Sequence, residues 1–275
     1  MLQKSILITG CSSGIGLACA REMKRRGWRV FASARRGEDL ERLQNIEGVE
    51  AVELELSEQR SVAACADVVL GATNGQLDAM FNNAAFGQLG AVEDLSTDLL
   101  RRQFEINLFG THDLTRRMIP GMRERGQGRI IQCSSVLGFV SAKYRGAYCA
   151  SKFALEALSD SMRMELRGTG VHVSLIEPGP IRTKFVATAV EAFKQAIDIE
   201  GSVHREPYKA RLAGLESGGK QFFKLEPEAV AKKLVHACES KRPKPRYFVT
   251  MPTYSADIMR RVLPTRALDW FLEGN

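Results

Sequence analysis

Tyr148-Cys149-Ala150-Ser151-Lys152 sets a phenol and an ammonium four residues apart, which on a helix places one above the other on a single face. Leu155 and Met162 share that face, so it points inward, and an inward lysine beside a tyrosine has few structural explanations besides snorkelling. The pair suits acid/base chemistry. A nearby ammonium favours the phenolate, and it is expected to lower the Tyr148 pKa from about 10 toward the working range of a proton donor. Ser135 closes Cys133-Ser134-Ser135 just past an apolar run, where a hydroxyl could polarise a substrate carbonyl. Taken alone it reads as a loop hydroxyl bonding its own backbone. Asn107 sits in an otherwise helical stretch, Phe104 to Phe109, as a tolerated polar residue or a turn of irregular helix.

A second constellation is Gly10-Cys11-Ser12-Ser13-Gly14-Ile15-Gly16, spaced Gly-x3-Gly-x-Gly between an apolar run and a helical pattern. Glycines there permit a tight turn and let a pyrophosphate approach the backbone at a helix N-terminus. An isolated glycine triplet is as often only a turn; the flanking strand and helix give this one its meaning. NAD enzymes of such architecture carry an acid at the end of the second strand to hold the ribose hydroxyls. Here that strand ends Ala34-Arg35-Arg36, with no acid, and the planar fork of Arg35 can grip a 2′-phosphate. The sequence therefore favours NADP(H). Glu38 and Asp39 keep open the alternative that Arg35 and Arg36 merely solvate a helix start.

These residues need a frame. Ser5 to Thr9 reads as a buried strand, Leu17 to Arg26 as a helix, and Arg29 to Ala34 as the next strand. The alternation continues with a strand over Gly48 to Leu56, a helix after Ser57, a strand over Leu77 to Phe81 and a helix around Leu99 to Phe109. Then come a strand over Gly128 to Cys133, a helix from Tyr148 and a strand over Val171 to Ile176. Such alternation implies an α/β fold, a doubly wound, Rossmann-like parallel sheet with helices on both faces. Beyond Pro178 the pattern loosens. Residues 4–183 read as the cofactor-binding and catalytic core. Lys184 to Lys224, with one helix near Val190 to Ile197, reads as a lid over the site. Residues 225–275 supply a helix over Pro227 to Cys238, a strand over Arg246 to Thr250 and a tail with Trp270 and Phe271. One domain of 275 residues accounts for the whole chain.

Composition excludes several classes. The chain is 44% hydrophobic and 26% charged, ordinary for a globular protein, and its N-terminal apolar run is too short for a signal peptide or a membrane span. A cytoplasmic location is expected. Six cysteines without a Cys-x-x-Cys pair, and histidines far apart in sequence, imply reduced thiols and no metal. The net charge of +7 is concentrated between Lys241 and Arg266, where seven Lys/Arg face one acid. The plainest reading is a solvated basic surface; sharper ones are attraction of a phosphorylated cofactor or of an anionic membrane surface. No nucleic-acid module accompanies the charge, so no nucleic-acid partner is expected.

Taken together, Thr9-Gly10-x3-Gly14-Ile15-Gly16, Asn82-Asn83-Ala84-Ala85, Asn107, Ser135, Tyr148-x3-Lys152 and Pro178-Gly179-x3-Thr183 resemble the short-chain dehydrogenase/reductase family. Gly10-Cys11-Ser12-Ser13-Gly14 and Ile176-Glu177-Pro178-Gly179-Pro180 are most similar to its hydroxysteroid and retinol dehydrogenases and related bacterial aldehyde reductases. The resemblance implies that Tyr148 is the general acid in reduction, that Lys152 binds the nicotinamide ribose and tunes Tyr148, that Ser135 positions the carbonyl and that Asn107 holds a proton-relay water. It implies cofactor contacts from Gly10, Ser12, Ser13, Gly14, Ile15, Gly16, Arg35, Arg36, Asn83 and Ala84. Further contacts would come from Glu55 or the Leu56 backbone at adenine, and from Pro178, Gly179, Ile181 and Thr183 beside the nicotinamide. It also implies a homodimer or homotetramer built on the helix after Tyr148 and the one containing Asn107. Three departures stand out: Ala85 replaces a glycine, Glu55 an aspartate, and Ser13 the basic residue that many NADPH-preferring members carry. The expected reaction is reduction of an aldehyde or ketone, with a lipophilic substrate favoured. The alternatives are an alcohol, hydroxysteroid or retinol dehydrogenase running oxidatively, and a dinucleotide sensor without turnover.

Overall fold

Ile6 and Ile8 pack into one apolar cluster and Leu7 into another, on opposite faces of the same strand. That alternation of direction within a wholly apolar run is what a strand buried on both faces requires. The computed structural model describes residues 3–216 and 223–273. Along the chain it contains β1 (Ser5–Ile8), α1 (Gly14–Arg25), β2 (Arg29–Ala34), α2 (Gly37–Arg42), β3 (Glu50–Glu53), α3 (Gln59–Ala72) and β4 (Ala79–Asn82). There follow α4 (Thr97–Phe104), α5 (Thr111–Glu124), β5 (Gly128–Cys133), α6 (Gly146–Glu165), β6 (Val171–Glu177), α7 (Phe185–Ala196) and α8 (Arg205–Glu216). The chain closes with α9 (Glu228–Glu239), β7 (Arg246–Phe248), α10 (Met251–Val262) and α11 (Thr265–Glu273).

The strands form one parallel sheet in the order β3-β2-β1-β4-β5-β6-β7. Cys19, Ala20 and Met23 of α1 and Val230, Leu234 and Ala237 of α9 recur at helical spacing and cover one face. Val62 and Val69 of α3 and Leu114 and Met118 of α5 cover the other. Each of the larger of these, the buried valines, leucines and methionines, contributes on the order of 1.5–3 kcal/mol. The expected doubly wound fold is therefore the observed one. Its strand order reverses between β1 and β4, and the loops leaving those two strands diverge to open a crevice at the carboxyl edge of the sheet.

The structure corrects the sequence reading in three places. The helix read around Leu99 to Phe109 is α4 followed by a π-helical stretch, Glu105–Gly110, that runs directly into α5, a helix the reading lacked. Gly110 sits where an added Cβ would lie 2.0 Å from the Leu56 carbonyl oxygen, so the close approach of this helix to the loop after β3 demands glycine. Second, the segment read as a loose lid contains α8 as well as α7. Together with Leu89 and Ala91 they build their own apolar cluster around Val190, Phe193 and Tyr208. The Tyr208 hydroxyl donates to Asp94 Oδ2 at 2.5 Å and accepts from the Ala91 N–H at 2.6 Å. Residues 217–222 of that segment lie outside the described residues. Third, the tail with Trp270 and Phe271 is helical, as α10 and α11, and Ala256 and Leu272 from these helices join the cluster around Tyr148.

Candidate active site

Gly10 leaves β1 with φ +71°, and an added Cβ would press on the Ala84 backbone at 2.9 Å, so the turn and the neighbouring loop both exclude a side chain. Gly16 lies in the first turn of α1, where a Cβ would meet the Gly10 carbonyl oxygen at 2.2 Å. Asn83, just past β4, donates through Nδ2 to the Thr9 carbonyl at 2.9 Å, while the Thr9 hydroxyl accepts from the Asn83 and Ala84 N–H groups. Asn83 thus clamps the loop after β4 to the end of β1. Across the opening, the Thr183 methyl lies 3.0 Å from where a Gly14 Cβ would stand, which brings the loop over Pro178 to Thr183 against the glycine turn. Within that loop the Pro178 carbonyl accepts from the Val136 N–H, Gly179 packs on Thr250, and Ile181 bridges to Leu225.

Ser13 caps α1 in extended conformation without a side-chain hydrogen bond, and the first turn of the helix holds no acid. The positive end of the helix, with its N–H groups, is left for an anion. Arg35 follows β2 with its guanidinium mostly exposed, 3.5 Å from Glu55 Oε2. Arg36 is paired with Glu38 and Asp39. Glu55 also accepts from Ser57, and the buried Leu56 turns its carbonyl toward Gly110. Arg42, which the sequence reading did not single out, donates to the Ser12 carbonyl and to Asp39 and so ties α2 to the glycine turn.

The other constellation converges beside this crevice. Tyr148 and Lys152 lie on α6, both buried. The Ser135 hydroxyl stands close enough to the Tyr148 phenol to favour its ionised form, and its oxygen accepts from the Leu137 N–H at 3.1 Å. Lys152 Nζ donates to the Cys133 carbonyl at 2.7 Å and sits 5.7 Å from the centre of the Tyr148 ring. The structure reverses one electrostatic expectation. Burial pushes the Tyr148 phenol well above its ordinary range, and the neighbouring Ser135 hydroxyl and Arg145 guanidinium offset that only in part. Burial likewise lowers the Lys152 ammonium. A desolvated ammonium turned toward a carbonyl is a weak counter-charge for a phenolate, so desolvation prevails. Asn107 is buried in the π-helical stretch; its Nδ2 donates to the Phe86 carbonyl and to Ser151 Oγ, and its Oδ1 accepts from the Phe86 N–H. The side chain braces α6 against the loop after β4, and a relay through it has only the second lone pair of Oδ1.

Arg246 was read as part of a solvated basic surface, but it reaches inward. It pairs with Glu156, with Glu177 at 2.5 Å and with Asp160 at 2.7 Å. Glu156 and Asp160 follow Lys152 by one and two turns of α6, so this cluster fastens the helix bearing Tyr148 to the end of β6. Burial, and after it the neighbouring Glu156 carboxyl, pushes Glu177 up to about 8. All six cysteines are buried and unpaired, and among the described residues no His/Cys/Asp/Glu group could hold a metal.

Tyr148 faces a narrow cleft lined by Gly87, Leu89, Arg145, Phe185, Val186 and Ala189. The Phe185 ring packs on Tyr148 with centres 5.5 Å apart. A model of the family described as short chain dehydrogenase matches residues 4–193. The chain belongs to the short-chain dehydrogenase family. It is 44% identical over 274 residues to "Uncharacterized oxidoreductase YbbO" of Escherichia coli, covering all of this chain and 96% of that one. It is 33% identical to human "17-beta-hydroxysteroid dehydrogenase type 1", covering 91% of this chain and 78% of that protein. Among solved structures it resembles an actinorhodin polyketide ketoreductase with NADPH, at TM-score 0.73 and 27% identity, covering 90% of this chain and 95% of that one. It also resembles a short-chain dehydrogenase/reductase from Burkholderia phymatum in complex with NAD, at TM-score 0.78 and 25% identity, covering 93% and 92%. The protein is thus an oxidoreductase of a family that binds nicotinamide dinucleotides and acts on small molecules.

Proposed function

We propose that the protein reduces an aldehyde or ketone on an apolar substrate with NADPH. The observation that carries this reading is the Tyr148 phenol, buried on α6 beside the Ser135 hydroxyl and facing a mostly apolar cleft. A buried phenol is protonated at neutral pH and can hand its proton to a carbonyl oxygen, the step that reduction requires.

The crevice fits a dinucleotide. The uncapped N-terminus of α1 and the Gly10 to Gly16 turn suit a pyrophosphate, and Arg35 suits a 2′-phosphate. Arg36 and Glu55 would border the adenosine end. Asn83, Ala84, Lys152 and the loop from Pro178 to Thr183 would border the nicotinamide end. When bound, the cofactor supplies hydride to the carbonyl carbon. Tyr148 donates its proton to the carbonyl oxygen, and the neighbouring Ser135 hydroxyl holds that oxygen in place. Lys152 would hold the ribose hydroxyls, and Asn107 keeps α6 in register with the loop after β4. The intact serine, tyrosine and lysine arrangement speaks against a non-catalytic sensor. As to assembly, the exposed Leu100 and Phe109 beside Asn107 and the exposed Phe153 and Leu158 on α6 support a homo-oligomer through those helices.

The test is turnover of straight-chain aldehydes, retinal and steroid ketones with NADPH and with NADH, followed in both directions. Absence of NADPH oxidation with every carbonyl would overturn the reading.

A further inference from the structure

Arg145 occupies the N-cap position of α6, three residues before Tyr148, and lines the same cleft as the phenol. Among the described residues its guanidinium has neither an acid nor a hydrogen-bond acceptor, and its Nε is sealed from solvent without a partner. The position is unfavourable twice over, because burial removes water from the cation and the N-terminus of α6 adds positive potential to it. A third unfavourable contribution comes from Arg211, whose charge further depresses that of Arg145. Arg211 Nε is also buried without a partner, and the residue lines an adjoining cavity with Tyr144, Phe193, Tyr208 and Leu212. The two cavities share Leu89 as a wall. Arg145 therefore lines the mostly apolar cleft that opens on Tyr148 and Arg211 lines the cavity on the other side of Leu89, neither with a counter-charge from the described residues.

We propose that Arg145, backed by Arg211, is a subsite for an anionic group of the substrate, so that the preferred substrate is an apolar carbonyl compound that also carries a carboxylate. This deepens the reductase reading and rests on it. A carboxylate there relieves the repulsion between the guanidiniums and meets their planar donors in the bidentate geometry that arginine favours. The aliphatic and aromatic walls around Leu89 and Phe193 accommodate the apolar body between that group and the reacting carbon. The subsite would select among lipophilic carbonyl compounds, because neutral ones leave both cations unpaired.

The experiment titrates octanoate, octyl phosphate and 1-octanol into the full chain by calorimetry, with and without NADPH, alongside a separate assay of octanal reduction. Octanoate should bind at least about tenfold more tightly than octanol, the scale of one charge-assisted hydrogen bond, and added NaCl should weaken octanoate alone. Arg145→Met should abolish the octanoate advantage, and Arg145→Lys should restore part of it. Equal affinity of the wild-type protein for octanoate and octanol would overturn the proposal, as would an unchanged ratio in Arg145→Met. Octyl phosphate binding tenfold more tightly than octanoate would overturn the carboxylate assignment. Should Arg145→Met fail to fold, the wild-type ratio and its salt dependence decide alone. Loss of octanal turnover with the octanoate advantage intact would sink the reductase reading and not the anion subsite.

Discussion

Replacing Glu177 by glutamine isolates the carboxyl cluster that holds α6 in place. Glu177 is fully buried at the end of β6, faces Glu156 and Arg246, and shares Arg246 with Asp160. Its carboxyl is raised from 4.5 to about 8 by burial first and by Glu156 second. A carboxyl raised on folding contributes stability that is fully present below the unfolded-state pKa and is lost as pH rises toward the folded-state value. The window is therefore pH 4.5 to 8. At about 1.36 kcal/mol per pH unit, the loss across it reaches on the order of 5 kcal/mol, and about half that if Glu156 and Glu177 share one proton between them. For a chain of this size about 2–4 °C in Tm accompanies each kcal/mol, which gives a fall of roughly 5–20 °C between pH 5 and pH 8. Glu177→Gln keeps the shape of the protonated acid and cannot ionise, so its Tm should be close to wild type at pH 5 and should fall much less toward pH 8. The assay is thermal unfolding by circular dichroism across that range for both proteins. Parallel Tm-versus-pH curves would refute the assignment of this titration to Glu177.

Tyr148→Phe should leave the fold and NADPH affinity nearly intact while lowering turnover by about 10²–10⁴-fold, read from initial rates and cofactor titration; near wild-type turnover would exclude the phenol as proton donor. Because burial raises the phenol, reduction should stay level through neutral pH and oxidation should climb throughout the alkaline range, and an oxidative plateau near neutrality would contradict this. Arg35→Asp should narrow or invert a strong preference for NADPH in kcat/KM, whereas a wild-type enzyme indifferent to NADH would reassign Arg35 to the solvated surface. Limited proteolysis with mass mapping should show residues 184–224 protected when substrate and cofactor are both present, and equal cleavage in all states would remove the lid role.

Period and spacing determined much of this protein locally. The apolar runs at Ser5 to Ile8, Arg29 to Ala34 and Gly128 to Cys133 became strands close to their expected limits, because a strand buried on both faces leaves an uninterrupted apolar signature. The glycine turn and the Tyr148/Lys152 pair were legible because both are built within a few consecutive residues. The second lid helix was not, since what holds α8 is Tyr208 reaching Asp94 and Ala91, more than a hundred residues away. Nor did local pattern separate Arg246 from its basic neighbours; only the packing of β7 beside β6 and α6 turned it toward three acids. The protonation of Tyr148 shows the same division most clearly. From sequence, the lysine one turn away is the only visible influence, and it points the pKa downward. In the fold the ammonium is itself desolvated and spent on the Cys133 carbonyl, and the water removed from around the phenol decides the sign. Solvent exclusion is a property of all the chain segments that close over a site, so no short stretch of residues can encode it.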